Sequence, residues 1–407
     1  MPCVQASSTP QNFIFNNMKK QTIAINTPFV RPDIYGSLAV PVYNNVAFEF
    51  SDAKEMADAF CNRIKAPDYA RVENPTVTNF EQRVKALTGA EHVTAFNSGM
   101  AAISNALLAV SEQGKNIVTS RHLFGNTLAL ITSTLHRFGV EARLHDLTNP
   151  EAVKDAVDEQ TACVFLEVVT NPQLEVADLK GIAEIAHEKG VPVIADSTII
   201  PFTETSLKDL GVDIEVVAST KYISGGGTSL GGLVIDYGTF PEINQRVKYD
   251  LLFNLGAYMT PQAAYMQTLG LETLDVRYQR QASNALWLAQ ELSKIVKVNY
   301  IGLESNPYHA LARQQFGPTA GAMLTIDLES KEACFRFLNN LKLVHRATNL
   351  FDSRTLAIHP ASTIFGNFPE EQLKEIDVRQ TTIRISVGLE APEDILADIK
   401  QALGSKE

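Results

Sequence analysis

The sequence predicts an α/β fold, with a mostly parallel sheet covered by helices on both faces and a smaller C-terminal α/β unit. Two observations carry this. From about residue 91, short apolar runs such as Cys163–Leu166 and Ile214–Val217 alternate with segments of helical period. Apolar strands alternating with helices build parallel sheets buried on both sides. The chain also has 407 residues, 45% hydrophobic and 20% charged, enough for two or three domains with sizeable cores. The expected division is an irregular arm over 1–60, a large domain over 61–258 and a C-terminal domain over 259–407.

Residues 1–60 are interrupted by prolines at 28, 32 and 41 and show little helical period. Such an arm either lies on a neighbouring subunit or frays. Met1–Lys20 is polar and asparagine-rich, without the apolar core of a signal peptide, so a cytoplasmic protein is expected. Thr78 and Glu81 read as a capping box. Phe80, Val84 and Leu87 continue that helix, and Gly89 stops it. Strands are expected at His92–Phe96, Asn116–Thr119, Val140–His145, Cys163–Leu166, Val191–Ala195, Ile214–Val217 and Gly232–Asp236. Helices follow Ser98, span Leu123–Phe138, and fall near 150–158 and 178–189. Beyond about 255 the pattern turns helical through Pro261–Leu271 and Leu274–Val296, with Trp287 in the core or an interface. The last unit has strands near Ala322–Leu328, Thr355–Ile358 and Thr382–Val387, with helices near 331–341 and 391–403.

Several function classes are excluded. A formal net charge of −11 argues against a nucleic-acid reader. No apolar run is long enough for a membrane span. Cys3, Cys61, Cys163 and Cys334 are scattered, which fits a reducing compartment and suggests no metal site. Cys163 sits in an apolar run as a small core residue.

In open parallel sheets, ligands bind outside the carboxyl ends of the strands, and four polar features fall there. Ser98-Gly99-Met100 opens a helix directly after a strand, so free N–H groups and the helix dipole suit a phosphate; an ordinary tight turn would look the same. Asp196 ends a buried strand and needs a partner. A pyridinium nitrogen would serve, as in pyridoxal-phosphate enzymes, or the carboxylate caps Ser197 or Thr198. Asn171-Pro172 offers either an amide for a cofactor hydroxyl or a simple turn. Lys221 follows Ser219 and Thr220 past a buried strand, where desolvation would disfavour its charge and sharpen its nucleophilicity; a snorkelling lysine is the alternative. Together these supply an amine, an acid and an anion site. A dinucleotide site fails in detail, because Leu230 stands where the third glycine after Gly225 and Gly227 is required. These glycines instead read as backbone room beside the lysine.

Tyr69-Ala70-Arg71 with Asn74-Pro75-Thr76, Ser98-Gly99-Met100, Asn171-Pro172, Asp196, Ser219-Thr220-Lys221-Tyr222-Ile223-Ser224-Gly225, His359-Pro360-Ala361-Ser362 and Arg384-Ile385-Ser386-Val387-Gly388 occur in that order. In these motifs the chain resembles the Cys/Met-metabolism family of pyridoxal-phosphate enzymes, the cystathionine γ-synthase-like group, from about Ser37 to Leu403. The resemblance implies the type I, aspartate-aminotransferase-like fold and pyridoxal 5'-phosphate as cofactor. Lys221 would hold the cofactor as a Schiff base, and Asp196 would pair with the pyridinium nitrogen. Ser98, Gly99, Met100 and Thr220 would hold the phosphate. Phe124 would stack on the ring, Asn171 would lie near the 3-hydroxyl, and Arg384 with Asn349 would bind the substrate carboxylate. Tyr69 and Arg71 would reach the phosphate of a neighbouring subunit, in a homotetramer built as two dimers with shared active sites.

Three positions depart from the family pattern. Phe124 stands where a tyrosine is usual, Ala218 where many members carry a phosphate-binding serine, and Thr363-Ile364-Phe365 where Thr-Thr-His is common. Ser219 is the expected substitute for the missing serine. Within the family, Leu123–Thr127, Asn171–Val176 and Asn349-Leu350 most resemble O-acetylhomoserine sulfhydrylases. The expected activity is γ-replacement on O-acetyl-L-homoserine by sulfide or methanethiol, giving homocysteine or methionine. A γ-lyase giving a 2-oxo acid and ammonia is the alternative. A binding or regulatory role without turnover is disfavoured by the intact Lys221 and Asp196.

Overall fold

A computed structural model describes residues 18–29 and 33–404. A seven-stranded sheet contains β1 (His92–Phe96), β2 (Asn116–Ser120), β3 (Glu141–His145), β4 (Thr161–Glu167), β5 (Val193–Asp196), β6 (Ile214–Val217) and β7 (Gly232–Asp236), in the spatial order β1-β7-β6-β5-β4-β2-β3. The pairs from β6 to β3 are parallel, whereas β7 is antiparallel to both β6 and β1. Two reversals cancel, so β1 runs in the same sense as β6. The carboxyl ends of β1, β2, β4, β5 and β6 therefore share one edge.

The strands are apolar on both faces because each face has its own core. In β4, Val164 and Leu166 join one cluster with the helix Leu179–Glu188, while Cys163 and Phe165 join another with the helix Gly99–Val110. This is the period-two division of a pleated strand between two helical layers. The expected type I fold is present, as is a second sheet. That sheet is antiparallel, with β8 (Lys297–Asn299), β9 (Met323–Asp327), β10 (Leu356–Ile358) and β11 (Thr382–Ser386) in the order β10-β11-β9-β8. Trp287 packs partly buried against the larger core, and Cys163 is fully buried.

Several local expectations need correction. The helix after Asn74 spans Pro75–Thr88, capped by the Asn74 side chain on the Thr76 N–H with proline in its first turn. Thr78 is inside it, and Glu81 turns inward to accept the Ala95 N–H at 2.9 Å. The segment to residue 60 holds helices Lys20–Asn26 and Ala53–Phe60; the first buries Ile23 and Ala24 on its own chain, and Asp52 caps the second. Residues 1–17, including Cys3, lie outside the description. Leu123–Phe138 is helical only from Gly125, widens to a π turn at Leu130–Thr134 and tightens to 3-10 geometry at Leu135–Phe138. β8 and the helices His309–Phe316 and Glu370–Glu375 are too short to have shown a period.

Candidate active site

The shared edge and the second sheet enclose a cavity of about 240 Å³. Ser98, Gly99, Met100, Phe124, Asn171, Asp196, Thr220, Lys221, Asn349 and Arg384 all line it. A wider cleft of about 830 Å³ shares Thr220, Lys221, Leu230, Thr348 and Asn349 with it.

Lys221 stands just beyond β6. Its Nζ donates to Asn349 Oδ1 at 2.9 Å. Burial, reinforced by the nearby Arg384 guanidinium, lowers its pKa to about 8. Arg384 comes from β11 and is buried; burial lowers its pKa to about 9. Its Nη1 donates to Asn171 Oδ1 at 3.1 Å and its Nη2 to the Asn349 carbonyl at 3.3 Å, while Nε has no partner. A buried guanidinium that lines a cavity and keeps an unused N–H is prepared for a carboxylate.

Asp196 ends β5. Its Oδ1 accepts both the Thr198 N–H at 2.9 Å and the Thr198 hydroxyl at 2.5 Å. The cap and the charged partner are thus compatible readings of one side chain. Thr198 Oγ1 also accepts the Ala218 N–H at 2.9 Å, fixing the end of β5 to the lysine segment. Burial raises the Asp196 pKa, and Thr198 opposes this. A cation against the carboxylate would relieve that cost.

Ser98 caps the helix Gly99–Val110, its hydroxyl accepting the Ala101 N–H at 3.2 Å. A Cβ added to Gly99 would stand 2.6 Å from the Ala218 Cβ, so glycine is what lets the helix start close against the lysine segment. Thr220 Oγ1 accepts the Gly231 N–H at 2.9 Å and donates to the Gly231 carbonyl at 3.1 Å.

Ser219 requires correction. In the turn past β6, Ala218 and Thr220 line the cavity, whereas Ser219 does not and is buried with an unpartnered hydroxyl near Gly231. It cannot replace a serine at 218. The glycines beyond the lysine accommodate other groups than the lysine: a Cβ on Gly225 would collide with Arg277, and one on Gly227 with Asp352. Tyr69 and Arg71 do not line this chain's cavity. Arg71 donates to the Phe253 carbonyl and lies 5.5 Å from the Tyr69 ring centroid, and Tyr69 is 42% exposed.

Sequence reasoning missed Glu167 and Thr198, which both line the cavity. Glu167 was one residue beyond the expected end of its strand. Thr198 was visible only as a possible backbone donor. Leu350 and Ile364, from motifs noted in the sequence, form an apolar lining with Val169 and Ile199, which no motif announced.

An amine of lowered pKa, a buried acid, a helix start that only glycine permits and an orphaned Arg384 Nε fit a phosphorylated aldehyde cofactor carrying an amino-acid substrate. Residues 21–404 match the model of the Cys/Met metabolism PLP-dependent enzymes. An L-methionine gamma-lyase of Fusobacterium nucleatum is 38% identical over 95% of this chain and 99% of its own length. An O-acetyl-L-homoserine sulfhydrylase of Corynebacterium glutamicum is 33% identical over 89% of this chain and 91% of its own. A crystal structure from Campylobacter jejuni, which contains N'-pyridoxyl-lysine-5'-monophosphate, superposes with a TM-score of 0.91 at 33% identity, covering 95% of this chain and 100% of that one. Fold, cavity and relatives agree, and the chain belongs to the Cys/Met metabolism family of pyridoxal-phosphate-dependent enzymes.

Proposed function

We propose that the enzyme catalyses γ-replacement on O-acetyl-L-homoserine, with sulfide or methanethiol as the incoming nucleophile and homocysteine or methionine as product. The observation that carries this reading is Phe124. Among the described residues no tyrosine lines the cavity from within its own chain, so the phenol usual at position 124 is not there to protonate a departing γ-substituent. An acetate can leave unaided as the base of an acid of pKa about 4, whereas a thiolate corresponds to a pKa of about 8.5. At full charge development that difference is worth about 6 kcal/mol, so the missing phenol costs an ester far less than a thioether.

The cofactor, when bound, supplies an electron sink for the pair left when Cα loses its proton. The residues of this chain do the rest. Arg384 binds the α-carboxylate, its guanidinium held in place by Asn171 and Asn349. Lys221, with an amine of pKa about 8, takes the proton from Cα and passes protons at Cβ. Asp196 would pair with the protonated ring nitrogen, and Ser98 to Met100 with Thr220 would hold the phosphate. The apolar wall of Val169, Ile199, Leu350 and Ile364 keeps water from competing with the thiol. Tyr69 and Arg71, outside this chain's own cavity, complete the site of a neighbouring copy in a cytoplasmic homotetramer.

Elimination is the second reading, favoured by the identity to a methionine gamma-lyase. Incubating the holoenzyme with O-acetylhomoserine, with and without sulfide, separates them. Homocysteine formed only with sulfide, and little 2-oxo acid without it, supports replacement. Rapid 2-oxo acid release from methionine by the wild type overturns it. In Phe124→Tyr, the ratio of methionine cleavage to ester turnover rises.

A further inference from the structure

Glu167 has no role in the chemistry described so far, yet it occupies a costly place. It ends β4, directly beside Asp196 in the parallel register, with its carboxyl buried against the cavity. Its Oε1 accepts the Phe124 N–H at 2.6 Å and its Oε2 accepts the Asn171 N–H at 3.2 Å. We propose that Glu167 is a positioning residue for the cofactor: one carboxylate that ties the backbones of Phe124 and Asn171 to the strand end that carries Asp196.

Phe124 follows β2 and Asn171 follows β4, in separate loops that share no backbone hydrogen bond. Each brings a group to the cavity: the Phe124 ring, and the Asn171 amide that also receives Arg384. Their N–H groups need an acceptor, since a buried donor without one is expensive. A carboxylate has two acceptor oxygens and can serve both loops from one side chain. An amide cannot, because its NH₂ would face one of the two donors. A second acid beside Asp196 is otherwise unfavourable: burial, and then the Asp196 charge, push the Glu167 carboxyl well above its usual range. The two-pronged tether gives that placement a purpose.

This inference rests on cofactor use, not on the choice between replacement and elimination, and its test reads the cofactor directly. Glu167→Gln nearly preserves shape while setting its NH₂ against one loop. The expected result is a tenfold or greater rise in the dissociation constant for pyridoxal phosphate, together with an altered visible circular-dichroism band, which reports how the ring is seated. Glu167→Asp, one methylene shorter, should reach only one N–H and give the same pair of changes. The cofactor-free Gln variant should still fold, with a thermal midpoint lowered by no more than a few degrees, because the lost acceptor for one N–H is partly offset by removing an acid from beside Asp196. Wild-type affinity and band in the Gln variant would overturn the proposal. So would a cofactor-free Gln variant that no longer folds, since Glu167 would then serve core stability rather than cofactor seating.

Discussion

Gly99→Ala tests the phosphate grip at one atom. The new Cβ would lie 2.6 Å from the Ala218 Cβ and 3.0 Å from its Cα. Reaching an ordinary contact of 3.4 Å requires about 0.8 Å of movement. Neither neighbour is a flexible side-chain end, so the helix start and the lysine segment must part. Charge-assisted N–H bonds to phosphate are about 2.7–2.9 Å long, and stretching one by that amount breaks it. Such a bond contributes about 1.5–3 kcal/mol, or roughly ten- to hundredfold in affinity. The assay is a titration of cofactor-free protein with pyridoxal phosphate and, separately, with pyridoxal. The alanine variant should lose ten- to hundredfold toward the phosphorylated form and less than threefold toward pyridoxal. Equal losses for both, or none, would refute an anion site at this helix start.

Arg384→Leu should lower kcat/KM by roughly a hundredfold or more, since the substrate carboxylate would be buried without its partner, at a cost of about 3–5 kcal/mol; initial rates at subsaturating substrate check this. In cofactor-free protein, Lys221 has a folded pKa of about 8 against 10.5 unfolded. The unfolded chain binds the extra proton between those values, so stability rises with pH through that window, by about 3 kcal/mol in total. Lys221→Met should remove this rise, as measured by denaturant unfolding at the two ends. His122 faces Glu175 at 2.6 Å through Nδ1 and Asp377 at 3.0 Å through Nε2, an arrangement satisfied by imidazolium. Burial opposes its charge, but the two carboxylates outweigh that and raise its pKa. Its contribution is therefore complete below about pH 6.5 and lost as pH rises through the folded value; His122→Asn should flatten that part of the stability profile.

The strand order of the chain, the lysine, the acid and the glycine at the helix start were legible because each breaks an apolar pattern at a strand end. Asp196 and Lys221 stand out as charges directly after buried runs, and chain order alone puts them on one edge once the sheet is parallel. Arg384 was legible only by resemblance, since an arginine inside a strand carries no local signal of what it faces. Ser219 failed for a geometric reason: in the turn past β6 only one of the two adjacent hydroxyls reaches the cavity, and sequence does not say which. Glu167 was hidden because its partners are backbone N–H groups of Phe124 and Asn171, which no residue type reveals. Thr78 was misplaced because Asn74-Pro75 starts the helix one turn earlier.

The antiparallel β7 has a consequence for how the protein is made. β1 is the first strand of the large sheet to be synthesised, yet its only partner there is β7, the last, with His92 opposite Asp236. During translation β1 must wait until more than a hundred further residues have emerged before it can dock. The glycine start of the phosphate helix leaves β1, whereas the lysine segment leaves β6, so neither half of the cofactor grip can close on a nascent fragment. Pairings this distant are slow to form and come late. If the helix start and the lysine segment hold the cofactor as proposed, its capture would report that β1 and β7 have paired.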